Sequence, residues 1–168
     1  MLRSRRIPII AMFGMLLPMA TFAACQSAER QQGYAGKSIE RGRYLVRIGG
    51  CNDCHTPGYA ESGGAVPEKQ WLTGSPVGWR GPWGTTYPPN IRLSMNRIDE
   101  ARWVEIGHTT QFRPPMPWFA LRDMRTEDLR AIYRFVRYLG PAGSPAPDFV
   151  PPGKAPSGPY IQFPGEVN

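Results

Sequence analysis

Histidine and cysteine are scarce in this chain: two histidines, His55 and His108, and three cysteines, Cys25, Cys51 and Cys54, in 168 residues. A closed structural zinc site needs four such ligands, usually delivered as two pairs, and beyond Cys51, Cys54 and His55 only Cys25 and a solitary His108 are left, with no second pair. No strand–helix–strand pattern flanks the cysteines, which removes a thioredoxin-like dithiol. Lysine occurs only at Lys37, Lys69 and Lys154. The basic residues are otherwise arginines, and no run of them is dense enough to argue for nucleic acid. There is no internal repeat, and after the first 24 residues there is no long apolar run.

What is present is Cys51-Asn52-Asp53-Cys54-His55. Two thiols at this spacing, one helical turn apart, reach the two vinyl groups of one haem, and the histidine after them is held under the iron as its proximal ligand. One motif means one haem c. His55 is expected to donate its other ring N–H to a carbonyl, which fixes the tautomer.

The N-terminus reads as an export signal over residues 1–24. Arg3, Arg5 and Arg6 precede an uncharged run from Ile7 to Ala24, which Pro8 and Pro18 make a poor retained span. Ser4-Arg5-Arg6 hints at a twin-arginine signal, but Ile7-Pro8-Ile9-Ile10 matches that pattern poorly. Phe22-Ala23-Ala24-Cys25 resembles a bacterial lipobox, with Phe22 where leucine is usual. Two readings of Cys25 stand: the acylated first residue of the mature chain, or a silent thiol near an ordinary cleavage site. Export implies the bacterial periplasm, with membrane association if Cys25 is lipidated. Removing Arg3, Arg5 and Arg6 takes 20 basic residues to 17 against 13 acidic ones, a net +4. That balance suits an acidic docking surface on a redox partner or an anionic membrane.

Residues 25–36 are polar and read as a flexible tether. Ser38 is read as the N-cap of a helix running to about residue 49, with Ile39, Gly42, Leu45, Val46 and Gly49 at helical spacing. Gly42 costs helix propensity and suggests a close helix crossing. Residues 56–90 lack a helical period, and a loop that long needs a large group to wrap. Trp71, Trp79, Trp83 and Tyr87 are candidates to line its pocket, with N–H and O–H groups near the propionates. A short helix is expected over 98–106, ended by Gly107. Thr126 is read as the cap of the clearest helix, with Leu129, Ile132, Tyr133, Val136 and Leu139 as its apolar stripe, Arg130, Arg134 and Arg137 on a solvated face, and Gly140-Pro141 as its stop. Residues 141–168 are read as an extended, polyproline-like Pro/Gly-rich tail that wraps the domain through Phe149, Tyr160 and Phe163, meets a partner or moves freely.

A helix leading into C-x-x-C-H, a methionine in a Pro-rich loop and a C-terminal helix together resemble the small monohaem c-type cytochromes. More narrowly, several segments are similar to cytochrome subunits of bacterial membrane-bound dehydrogenases. These are Gly42-Arg43-Tyr44-Leu45, the stretch Gly49 to Thr56, Gly84-Thr85-Thr86-Tyr87 leading to Asn90-Ile91, Met116-Pro117-Trp118, and Glu127 to Tyr133. The chain departs from those subunits in carrying one haem motif, and in having Arg92-Leu93-Ser94 where they commonly continue Thr-Pro-Asp. The resemblance implies an all-α cytochrome c domain over residues 37–140, with long haem-wrapping loops. Its first and last helices would cross, with Gly42 and Tyr133 as contact residues.

On that layout Met116, in a rigid Pro-flanked loop before the last helix, is the expected distal iron ligand. A thioether favours the reduced iron and raises its potential. His108, expected in a loop after Gly107, is the rival and would give bis-His ligation. Met95 is read in a polar turn and Met124 just before the last helix. Arg80, Trp79 and Asn90 are candidate propionate neighbours. The function implied is one-electron transfer, with no catalytic residue in the chain. The alternatives are a haem enzyme or gas sensor with an open distal site, and a bis-His subunit of a larger oxidoreductase.

Overall fold

The computed structural model describes residues 19–164, with side chains from residue 31 onward. Residues 1–18 of the expected export signal lie outside the described residues, and at Cys25 only the helical backbone is described. The chain divides into two units between Ala35 and Gly36. The site lies wholly in the second.

Helix α1 runs over Met19–Ile48. The polar stretch expected to be a tether is therefore helical, because Gln26, Ala28, Glu29, Arg30, Gln31 and Gln32 are good helix formers as well as hydrophilic ones. Ser38 caps nothing; its hydroxyl accepts from Arg134 Nη1 at 3.2 Å instead. Gly50, in the left-handed region at φ 68°, turns the chain into the short helix α2, Cys51–His55. A side chain there would be strained, and Gly is the residue that adopts this conformation freely.

After a single 3₁₀ turn at Glu68–Gln70 come β1, Gly78–Gly81, and β2, Gly84–Thr86. Four helices come next: α3 over Ile91–Met95, α4 over Glu100–Thr109, α5 over Trp118–Arg122 and α6 over Thr126–Leu139. β3, Tyr160–Gln162, closes the described chain. The sheet order is β2-β1-β3, antiparallel on one side and parallel on the other. Helices form the core, and this small sheet, which an all-helical domain does not contain, joins the tail to the hairpin. Strands of three and four residues are too short to show a period-two pattern, so the sequence conceals them.

The core packs Val46 of α1 against Ile132, Phe135 and Val136 of α6, with Tyr59, Trp71, Leu72 and Met95 filling the remainder. Met95, expected in a polar turn, is 1% exposed. Trp71 is also a core residue: its indole N–H donates to Val66 O at 2.8 Å, and its ring meets Tyr59 and Phe135 edge-on. The helix crossing sits at Gly42, where an added Cβ would lie 2.1 Å from Ala131 O and 2.7 Å from Phe135 Cβ. Tyr133 has a different task, its hydroxyl donating to Ile98 O at 2.9 Å.

Gly107 does not end its helix. α4 continues to Thr109, and Gly107 gives Leu129 room, since a Cβ there would come within 2.9 Å of Leu129 Cδ1. Thr126 is the first residue of α6 rather than its cap, which is Arg125. The arginine face of α6 is not simply solvated either. Arg134 Nε bonds Glu100 at 2.8 Å, Arg130 lies 3.5 Å from the same carboxylate, and Arg137 donates to Asn96 at 2.5 Å.

Arg92 is 6% exposed, and its guanidinium is turned to backbone carbonyls. It donates to Gly140 O at 2.5 Å, to Lys69 O at 2.7 Å and to Leu139 O. The guanidinium thus sits at the negative end of α6, where carbonyls lack helical partners and a cation is favoured. Burial pulls its pKa below the ordinary value. The side chain remains charged and fastens the end of α6 to the loop before Trp71.

Candidate haem-attachment site

α1 and the Gly50 turn place Cys51 and Cys54 on one turn of α2, both thiols unpaired. Burial pushes the Cys51 thiol up to about 11 and raises that of Cys54, with the Asp53 carboxylate adding to both. Both are therefore neutral thiols at neutral pH. Among the described residues no group of three His, Cys, Asp or Glu side chains stands together to hold a metal ion.

His55 ends α2 and is 7% exposed. Its Nδ1 lies 2.9 Å from Pro89 O. A carbonyl only accepts, so Nδ1 carries the proton and Nε2 keeps its lone pair. Burial holds the imidazole pKa below its ordinary value, against the opposing effect of the Pro89 bond, so the ring is neutral. Three further bonds hold this corner. Gly74 N–H donates to His55 O at 2.8 Å, Thr56 Oγ1 donates to Asn52 Oδ1 at 2.8 Å, and Leu72 N–H donates to Thr56 Oγ1 at 2.8 Å. Leu72 holds a left-handed backbone there, φ 62°, which costs a non-glycine residue about 1–2 kcal/mol.

A shallow cleft of about 120 Å³, open to solvent, is lined by Cys54, Thr56, Pro57, Val77, Trp79 and Ile161 among others; Cys51 and His55 do not line it. Trp79 of β1 therefore borders the same cleft as Cys54. Arg80 is the next residue along β1, so its side chain points to the opposite face of the sheet. There its guanidinium lies 5.3 Å from the Tyr160 ring centroid. Asn90 is 3% exposed, and its polar atoms serve the backbone. Its Oδ1 accepts from Leu93 N–H at 3.0 Å, capping α3, and its Nδ2 donates to Ala142 O at 2.8 Å and Ser144 O at 3.2 Å. Asn90 follows Pro89 directly in the chain, and both hydrogens of its amide are taken.

Among the described residues four buried donors have no protein partner: Asn52 Nδ2, Trp83 Nε1, Thr85 Oγ1 and Thr86 Oγ1. Leaving such a group unmatched costs roughly 1–3 kcal/mol. Thr86 pairs across the hairpin with Trp79, and cross-strand partners share a face. Trp83 joins that face through Phe163, whose ring centroid is 5.4 Å from Trp83 and 5.6 Å from Trp79. Neither Trp83 nor Thr86 lines the cleft, and both donor atoms are closed off from solvent. Nothing in the sequence marks the two threonines, because a strand threonine whose hydroxyl is unpaired looks like any other.

Met116 does not line that cleft. It is half-buried in the loop between α4 and α5. Its N–H donates to Arg113 O at 3.2 Å and its carbonyl accepts from Trp118 N–H at 2.9 Å. His108 is in the last turn of α4, not in a loop, and both its nitrogens are engaged. Nδ1 lies 3.0 Å from Arg122 O and Nε2 lies 3.3 Å from Thr126 Oγ1. Compared with protein-family models, with curated proteins and with solved structures, the chain matches none.

These residues fit a covalently held haem. Two neutral thiols lie on one helical turn, and a neutral imidazole directly after them keeps its Nε2 lone pair.

Proposed function

We propose that the chain is a c-type cytochrome, a one-electron carrier with a single haem c attached through Cys51 and Cys54. The observation that carries this reading is the Nδ1 bond from His55 to Pro89 O directly after the paired thiols. It orients the ring and raises the basicity of Nε2 toward iron. When bound, the haem supplies the one-electron chemistry. Cys51 and Cys54 would hold its vinyl carbons as thioethers, His55 would be the proximal ligand, and Trp79, which borders the cleft with Cys54, would lie against the ring. Met116 would be the distal ligand. Its rival His108 already spans α4 and the start of α6, and taking it as a ligand breaks the bond through Nε2.

Replacing Met116 by alanine is expected to abolish the sulfur-to-iron absorption band of the oxidised protein and to lower its midpoint potential, since the thioether no longer stabilises ferrous iron. His108→Ala should leave band and potential unchanged. The opposite pattern makes the haem bis-His. Ready carbon monoxide binding by the unaltered protein makes it the open-site enzyme or sensor instead.

The carrier serves a respiratory or dehydrogenase chain in the bacterial periplasm, meeting redox proteins that present acidic surfaces, either free or as a subunit of a larger complex. Among the described residues no helix is long and apolar enough to cross a membrane. The lipid reading of Cys25 is therefore tested directly. Mass spectrometry of the mature protein is expected to show loss of residues 1–24 and a lipid-sized addition on Cys25. An unmodified N-terminus near Ala24 leaves export standing and removes the anchor.

A further inference from the structure

The tail after α6 is dense in proline and glycine, has almost no secondary structure, and yet meets a defined series of neighbours. Ala142 and Ser144 accept from Asn90, the residue after Pro89, whose carbonyl orients His55. Phe149 then lies under the guanidinium of Arg113, 4.1 Å from the carbon to the ring centroid. Val150 exchanges both backbone bonds with Thr85, at 2.7 and 3.0 Å. Tyr160–Gln162 adds the parallel strand to β1, and Phe163 N–H donates to Arg80 O at 2.7 Å. In turn the tail therefore touches the support of the proximal histidine, the Met116 loop and the hairpin that bears the unmatched donors.

The middle contact differs from the others in reaching toward Met116. Arg113 has no ion pair within salt-bridge distance among the described residues, and its guanidinium rests on Phe149. Its own carbonyl accepts the N–H of Met116 at 3.2 Å. Phe149 therefore fixes the residue that fixes Met116. Beside it, Val150 is anchored to β2 by two backbone bonds, which holds the backbone that carries the ring.

We propose that the C-terminal tail is a strap that holds the Met116 loop in place, with Phe149 as its positioning residue. The claim that this sets iron ligation rests on Met116 being the distal ligand; the claim that it holds the loop does not. The tail is thereby assigned a task that neither a free linker nor a partner-binding peptide has. Phe149 touches no ligand atom and acts through Arg113.

The test uses the full chain with its haem attached, comparing the unaltered protein, Phe149→Ala, Phe149→Trp and Met116→Ala. A cation–π contact at an exposed arginine biases loop opening by about twofold to fivefold. Phe149→Ala is expected to weaken the sulfur-to-iron band, to speed carbon monoxide binding by that factor, and to speed hydrogen exchange at the amides of Met116 and Trp118 equally. Amides of α6 should be unaffected, and Phe149→Trp, which keeps an aromatic face, should restore all three. Unchanged exchange at Met116 and Trp118 in Phe149→Ala overturns the strap. If the unaltered protein shows no sulfur band, or Met116→Ala leaves it intact, the ligand assignment falls, and the exchange measurement alone decides the strap.

Discussion

Replacing both Cys51 and Cys54 by alanine is expected to remove covalent haem completely, seen as loss of haem peroxidase staining on a denaturing gel. Either single substitution should keep one thioether and a weaker stain. The argument is geometric: both thiols lie on one turn of α2, unpaired, and among the described residues no other cysteine side chain stands near them. A haem held only by axial ligands dissociates when the protein is denatured, so the gel reads the covalent bonds and nothing else. The protein must be produced in a host that attaches haem to C-x-x-C-H. If the unaltered chain, matured there, carries no stain, the cytochrome reading fails.

The second large effect concerns stability. Gly42→Ala is expected to destabilise the folded protein by about 2 kcal/mol or more, measured by urea denaturation of the haem-loaded chain. The added methyl would meet the backbone of Ala131, O at 2.1 Å and C at 2.6 Å, together with Phe135 Cβ. None of these is a flexible side-chain end, so α1 and α6 must separate. Overpacking costs about 1–3 kcal/mol, and against backbone that cannot yield it lies at or above the top of that range. The gain in helix propensity, about 1 kcal/mol, offsets only part of it. Gly36→Ala supplies the opposite sign from the same helix. Nothing lies within 4 Å of a Cβ at Gly36, so the propensity effect acts alone and stability should rise by roughly 0.5–1 kcal/mol. Equal responses at the two glycines would falsify the crossing at Gly42.

Where sequence pattern and structure part company, the cause is shared. Gly107 looks like a helix stop, Arg130, Arg134 and Arg137 look like a solvated face, and Met95 looks like a turn residue. In the structure Gly107 makes room for Leu129, the arginines reach Glu100 and Asn96, and Met95 is buried. Each assignment depends on which surface packs against the residue, and local pattern does not carry that information. Asn90 is similar: its amide could serve a ligand or the backbone, and only the path of the tail past Ala142 and Ser144 decides between them.

Relations set by local geometry were legible in the order of residues alone. A turn of helix spaces Cys51 and Cys54 and puts His55 directly after them, and a 3.6-residue period marks the buried face of α6 through Leu129, Ile132 and Val136. Such relations need only neighbours along the chain. Long-range contact was required to show which nitrogen of His55 is left free, because its partner Pro89 lies 34 residues away. It was required again to show that Arg92 closes the end of α6, and that the tail binds rather than wanders, since Phe149, Val150 and β3 find their partners on distant elements. Residues far apart in sequence meet only once the chain has given up the entropy of closing the loop between them, and no spacing in the sequence records which of them will.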